Sequence, residues 1–154
     1  MTEKLNADKM VMPYGPLHDQ LLLSVKNDGN KITFTFDVSV SKNDYSDELF
    51  NNYGAFSKCD MIIELKKDAL IDLAFETAVN HKTNKYQGLE LNEKKFTEYM
   101  NCCEIAEFLG CMIGETMFTV NISLMKFTSK YRKLKKYSSC RASFEYESVS
   151  WNWY

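Results

Sequence analysis

A chain of 154 residues, 45% hydrophobic and 26% charged with only 6 Gly and 2 Pro, fits a single globular domain over 1–154 and excludes low-complexity or linker character. The formal net charge of −2 argues against a generally basic nucleic-acid module. Met1 to Met10 hold no apolar core of a cleavable leader, and no apolar run is long enough to span a bilayer, so residues 1–12 are expected to be a flexible end of a cytoplasmic protein without membrane contact.

The first clear element is a hairpin. Leu17 to Val25 forms one arm, Asn27-Asp28-Gly29-Asn30 is a turn, and Ile32, Phe34, Phe36, Val38 and Val40 alternate with polar residues on the second arm. A polar stretch from Ser41 to Asn52, followed by Tyr53-Gly54, reads as a long loop. Met61, Ile63 and Leu65 alternate again, Lys66-Lys67-Asp68 supplies a polar turn, and Ala69, Ile71, Leu73, Phe75 and Val79 continue the period of two. This predicts a second hairpin; a helix over 68–79 competes because Ala, Leu and Glu favour it, but the alternation prefers strand.

His81 to Gly88 reads as loop. Asn92 offers a helix N-cap, with Phe96, Tyr99, Met100 and Cys103 at helical spacing after it. Residues 104–113 fit either a continued helix or a strand leading into a Gly114-Glu115 turn. Phe118, Val120, Ile122 and Leu124 then define a strand. The final element starts near Tyr137, with Cys140, Ala142, Phe144 and Tyr146 on one parity and Val149, Trp151 and Trp153 on the other. That phase change predicts a β-bulge near Glu147-Ser148. The fold expected is α+β, mostly antiparallel: a meander of six to seven strands with one helix inserted after the fourth.

Chemistry is scarce. Cys59, Cys102, Cys103, Cys111 and Cys140 are odd in number and carry no metal-ligand spacing, which reads as reduced thiols; the adjacent Cys102-Cys103 is expected to be a semi-buried pair on a helix rather than a redox element. Asn121-Ile122-Ser123 matches a glycosylation pattern but lacks a secretory route. No phosphate-binding glycine loop, metal motif or nucleophile context occurs, so no cofactor, metal or catalytic residue is expected. His18-Asp19 resembles a general-base pair, yet neighbours on a strand point to opposite faces, so a structural role at the start of the strand is expected. An enzyme built on His18 with Asp44 or Asp47 has no geometric support.

Charge is uneven along the chain. Lys126, Lys130, Arg132, Lys133, Lys135, Lys136 and Arg141 occur with no acid among them; without these seven, 12 basic residues face 21 acidic ones, a formal charge of −9. Lys130, Tyr131, Arg132, Lys133, Lys135 and Lys136 are therefore candidate nucleic-acid contacts, against the simpler reading of a solvated hairpin tip. Trp151, Trp153 and Tyr154 are candidate protein-docking aromatics, against the simpler reading of a core-closing strand.

The Leu17-His18-Asp19-Gln20 run, the Asn-Asp-Gly-Asn turn and the strand Ile32-Thr33-Phe34-Thr35-Phe36-Asp37 resemble the opening hairpin of small bacterial proteins, some regarded as immunity proteins of polymorphic toxin systems; the closing strand ending in Trp151 is compatible. The absence of a catalytic constellation points to a non-enzymatic binding protein whose partner is another protein; the resemblance implies toxin neutralisation as its role and brings no catalytic residues. The alternative is a nucleic-acid-binding module using the basic segment 126–141.

Overall fold

The computed structural model describes residues 2–4, 17–38, 56–77, 86–90, 93–135 and 137–154. Val40, the stretch 41–54, Val79, His81, Asn92 and Lys136, together with the Asp44 and Asp47 carboxylates, lie outside the described residues. The strands are β1 (Thr2–Lys4), β2 (Leu21–Asn27), β3 (Lys31–Asp37), β4 (Lys58–Leu65), β5 (Ile71–Thr77), β6 (Tyr86–Glu90), β7 (Cys103–Ile113), β8 (Met117–Phe127) and β9 (Tyr137–Trp153), with helix α1 (Glu93–Met100) between β6 and β7. The α+β class and the mostly antiparallel sheet agree with the sequence pattern. To the seven strands visible in the alternation the fold adds two short ones, β1 and β6.

Sheet order is β4-β3-β2-β7-β8-β9-β5-β6, and β9 also pairs with β4 and β1. The path β4-β3-β2-β7-β8-β9 therefore returns to β4 and closes into a ring. The 17-residue β9 makes this possible. Its first half pairs with β8 on one edge and β5 on the other; its second half pairs with β1 and β4. Between the halves, Glu64 pairs with Ser148 but Leu65 with Tyr146, leaving Glu147 as the extra residue of the expected bulge. The bulge restores facing: Cys140, Ala142 and Phe144 before it, and Val149, Trp151 and Trp153 after it, are all buried.

The second hairpin expected from the sequence does not form. Both β4 and β5 run antiparallel to β9 along the same edge, one after the other, so they are collinear rather than paired. Lys66 N–H donates to Glu145 O and Glu145 N–H to Leu70 O, which makes residues 66–70 an insertion opposite Glu145. Asp68, at φ 57°, supplies the left-handed residue that such a tight excursion needs. The hairpin β2-β3 is as expected, with Gly29 at φ 79° in its turn and Gly29 N–H donating to Asn27 Oδ1 at 2.9 Å.

Residues read as loop or flexible end also pair. Tyr86–Glu90 align with Asp72–Glu76, and Thr2–Lys4 with Ser150–Asn152. The helix consequently follows the sixth strand, not the fourth, and ends at Met100. Residues 104–113 are strand, paired with β8 through three register shifts. The core lies inside the ring, where Phe34, Phe36, Phe108, Phe118 and Phe144 are fully buried. Helix α1 covers the inward face of the β9-β5 arm: Phe96 meets Phe144 edge-on at 5.2 Å between centroids, and Tyr99 lies 5.9 Å from Phe75.

Candidate functional site

The weakest part of the ring is the seam between β2 and β7. Leu21 and Glu107 form its single register pair, reinforced by Asp19 N–H to Phe108 O at 2.8 Å and Phe108 N–H to Gln20 O at 3.0 Å. Beyond that pair the strands part, and Asn101 takes the place of a strand. Its amide accepts from Val25 N–H at 3.0 Å and donates to Val25 O at 2.9 Å and Thr97 O at 2.8 Å. This residue carries no pattern signal in the sequence, being one Asn after a helix.

Around the outward-facing Glu107, the outer surface of β7 and the adjoining β2 carries several exposed aliphatic side chains. Leu23 is 47% exposed, Ile105 39%, Leu109 40% and Met112 54%. Because β2 and β7 are antiparallel about the Leu21/Glu107 pair, Leu23 and Ile105 lie on the same side of it, where the ladder stops. Leu109 and Met112 continue outward along β7, opposite in facing to buried Ala106 and Phe108. The bulge that presents Leu109 lies between Phe108 and Gly110, and Gly110, at φ 143°, accommodates it. No sequence period marks this column, because register shifts scramble it.

The candidate aromatics are distributed differently from a docking face. Trp151 and Trp153 are 0% and 1% exposed, so they belong to the core, as the simpler reading expects, and an exposed tryptophan face is ruled out. Closing the ring turns their shared face inward against Met61 and Cys59, their register partners on β4. Tyr154 remains half-exposed, its hydroxyl donating to Asp60 Oδ1 at 3.3 Å.

His18 and Asp19 are not on a strand. They occupy the turn before β2, with Asp19 at φ 63°, and this lets the carboxylate reach back to its neighbour: His18 Nδ1 lies 2.9 Å from Asp19 Oδ2, contrary to the expectation from strand geometry. Both are more than half exposed. The backbone of Asp19 carries the structural role by tying the turn to β7.

The basic segment forms a 3-10 helix, Ser129–Leu134, between β8 and β9. Tyr131, at φ −108° and ψ 17°, kinks it into two short turns. Tyr131 and Leu134 pack against the core. Lys130 faces α1, where Glu98 binds it, and the same Glu98 oxygen accepts from the Tyr131 hydroxyl at 2.5 Å. Glu98 and the Tyr131 hydroxyl hold the Lys130 ammonium above the usual lysine range. The Tyr131 ring leans on Tyr99, 6.0 Å between centroids, which removes it as a free stacking surface. Arg132 and Lys135 are exposed, and Lys135 N–H, at the helix C-cap, donates to Arg132 O at 3.2 Å. Lys126, on β8, is paired with Glu104 at 2.5 Å.

No protein-family model, curated protein or solved structure matches this chain. None of the five cysteines is in a disulfide. The adjacent pair is not helical: Cys102 is the buried link after α1 and Cys103 opens β7, with their Sγ atoms 3.9 Å apart. The Cys103 thiol, hydrogen-bonded to Cys102, pulls Cys102 below the ordinary thiol range and is itself raised. Among the described residues, no group of three or more His, Cys, Asp or Glu is placed to hold a metal ion, and no helix is long and apolar enough to cross a membrane.

Proposed function

We propose that this chain is a non-enzymatic binding protein that receives another protein on the outer face of β7 and the adjoining end of β2. The observation carrying this reading is the outward group Leu23, Ile105, Leu109 and Met112. Single exposed aliphatic residues are ordinary on any surface, whereas several on one face of adjoining strands are the usual mark of a contact site. The acidic remainder of the chain favours a basic partner through electrostatic steering. Toxin neutralisation in the cytoplasm is the form of binding implied by the opening hairpin's resemblance, and the reduced thiols suit that compartment. A nucleic-acid module on the basic segment is the weaker reading, because Glu98 engages both Lys130 and Tyr131.

Affinity capture from source-cell lysate, with and without nuclease, tests the proposal. The expected result is one stoichiometric protein that survives nuclease and is lost with the Ile105→Glu/Leu109→Glu double variant. Recovery that nuclease abolishes, or that the double variant leaves intact, would refute it.

A further inference from the structure

Glu107 stands in the middle of the outer face of β7. Its register partners are Leu21 on β2 and Ser123 on β8, and its chain neighbours Ala106 and Phe108 are buried, so its side chain shares the outward face with Leu21 and Ser123. Exposed Ile105 and Leu109 lie on either side of it along the strand. The Glu107 side chain is half-buried, and among the described residues it makes no hydrogen bond or ion pair. Lys126, the cation in register with Ile105, is paired with Glu104 instead. Ser123 is a short neighbour, which leaves room beside the carboxylate on the β8 side.

We infer, on the footing of the proposed docking role, that the partner protein presents an arginine to Glu107. A partner that covers Ile105 and Leu109 also takes water away from the carboxylate between them. An ionised carboxylate is costly to bury unless a charge and hydrogen bonds replace that water. A purely apolar partner surface supplies neither. Arginine supplies both: its guanidinium is more weakly hydrated than an ammonium and offers two parallel donors that match a carboxylate. The aliphatic side chains around Glu107 then shield the pair from solvent, the setting in which single residues dominate binding energy. Glu107 thereby rejects apolar surfaces that would otherwise adhere to Leu23, Ile105 and Leu109. At longer range, the charge of −9 on the chain outside the basic segment draws in the same kind of partner.

A double-mutant cycle with defined peptides tests the pair. The probes are acetyl-Gly-Leu-Arg-Leu-Gly-amide and its citrulline counterpart, which keeps the shape of arginine and several of its donors but not its charge. Each is titrated into the full chain, wild type and Glu107→Gln, with amide chemical shifts as the readout. The arginine peptide should shift residues 21–23, 105–109 and 123 and bind the wild type at least about fivefold more tightly than the citrulline peptide, and Glu107→Gln should erase that preference. Glu107→Leu, which makes the face more apolar, should also weaken the arginine peptide. Tighter binding by Glu107→Leu, equal affinity for the two peptides, a preference that survives Glu107→Gln, shifts elsewhere, or no binding of either peptide would overturn the inference. The docking role is judged separately: peptides that bind alike at this face and are lost with Ile105→Glu/Leu109→Glu leave it standing without the arginine, whereas lysate capture indifferent to that double variant removes it. The comparison of the two peptides on the wild type depends on no variant folding.

Discussion

Replacing Asn101 with Ala should open the seam. The side chain makes three hydrogen bonds, two of them to Val25, whose side chain is 2% exposed and whose backbone sits where β2 has lost its β7 partner. Removing the amide orphans one N–H and one C=O. Each such group costs about 1–3 kcal/mol when kept from water. Because Asn101 itself is exposed, water reaches part of the vacated space, and the low end of the range applies, about 1–1.5 kcal/mol for each group and about 2–3 kcal/mol in total. For a domain of this length, about 2–4 °C is lost per kcal/mol, so Tm should fall by about 4–12 °C. Asn101→Asp should not rescue the loss, since it keeps an acceptor for Val25 N–H but sets a carboxylate oxygen against Val25 O. Urea unfolding and native-state exchange of the Val25 amide provide the measurement. A loss under about 0.5 kcal/mol, or unchanged Val25 exchange, would refute the view that a side chain substitutes for a strand here.

Trp151→Ala should cost about 3–5 kcal/mol in urea unfolding. Trp151→Phe should cost less than half as much, because the buried Nε1–H has no hydrogen-bond partner among the described residues to lose. Equal losses would mean that the indole nitrogen is engaged. Burial pushes the Cys111 thiol up to about 12. A folded value above the unfolded one means that stability is complete below about pH 9 and declines as pH rises from there toward 12; Cys111→Ala should flatten that decline in urea midpoints, and an unaltered slope would exclude Cys111 as its source. Deleting Glu147 should abolish cooperative thermal unfolding, because a one-residue slip turns Val149, Trp151 and Trp153 outward. A cooperative melt in that variant would show that the bulge can migrate.

Alternation in the sequence was sufficient to place β3, β4, β8 and β9 and even the bulge at Glu147, because a period of two reports which face is buried. It does not report which strand lies alongside. Lys66-Lys67-Asp68 has the composition of a hairpin turn, yet β4 and β5 share β9 as a common partner, and only the length of β9 settles the matter. Similarly, Trp151 and Trp153 announce a shared face, but whether that face looks in or out depends on ring closure by residues more than eighty positions away. The seam was invisible for a related reason: Leu23 and Ile105 come together only through the Leu21/Glu107 pair, and Asn101 is one amide without periodicity. In the basic segment, composition showed the charge; sorting Lys130 from Arg132 and Lys135 required the position of Glu98 on the helix across from it.

The dual pairing of β9 sets the order in which this protein can be made. Until residues 146–153 have left the ribosome, β4 lacks its second neighbour and the path through β3, β2, β7 and β8 stays an open, apolar trough. Contacts that join positions near 60 with positions near 150 are slow to find, since the intervening loop must close before any stabilisation follows. A nascent chain therefore presents Phe34 and Phe36, and later Phe108, to its surroundings until residues 146–153 emerge, and its yield in a cell should depend on holding chaperones more strongly than its final stability would suggest.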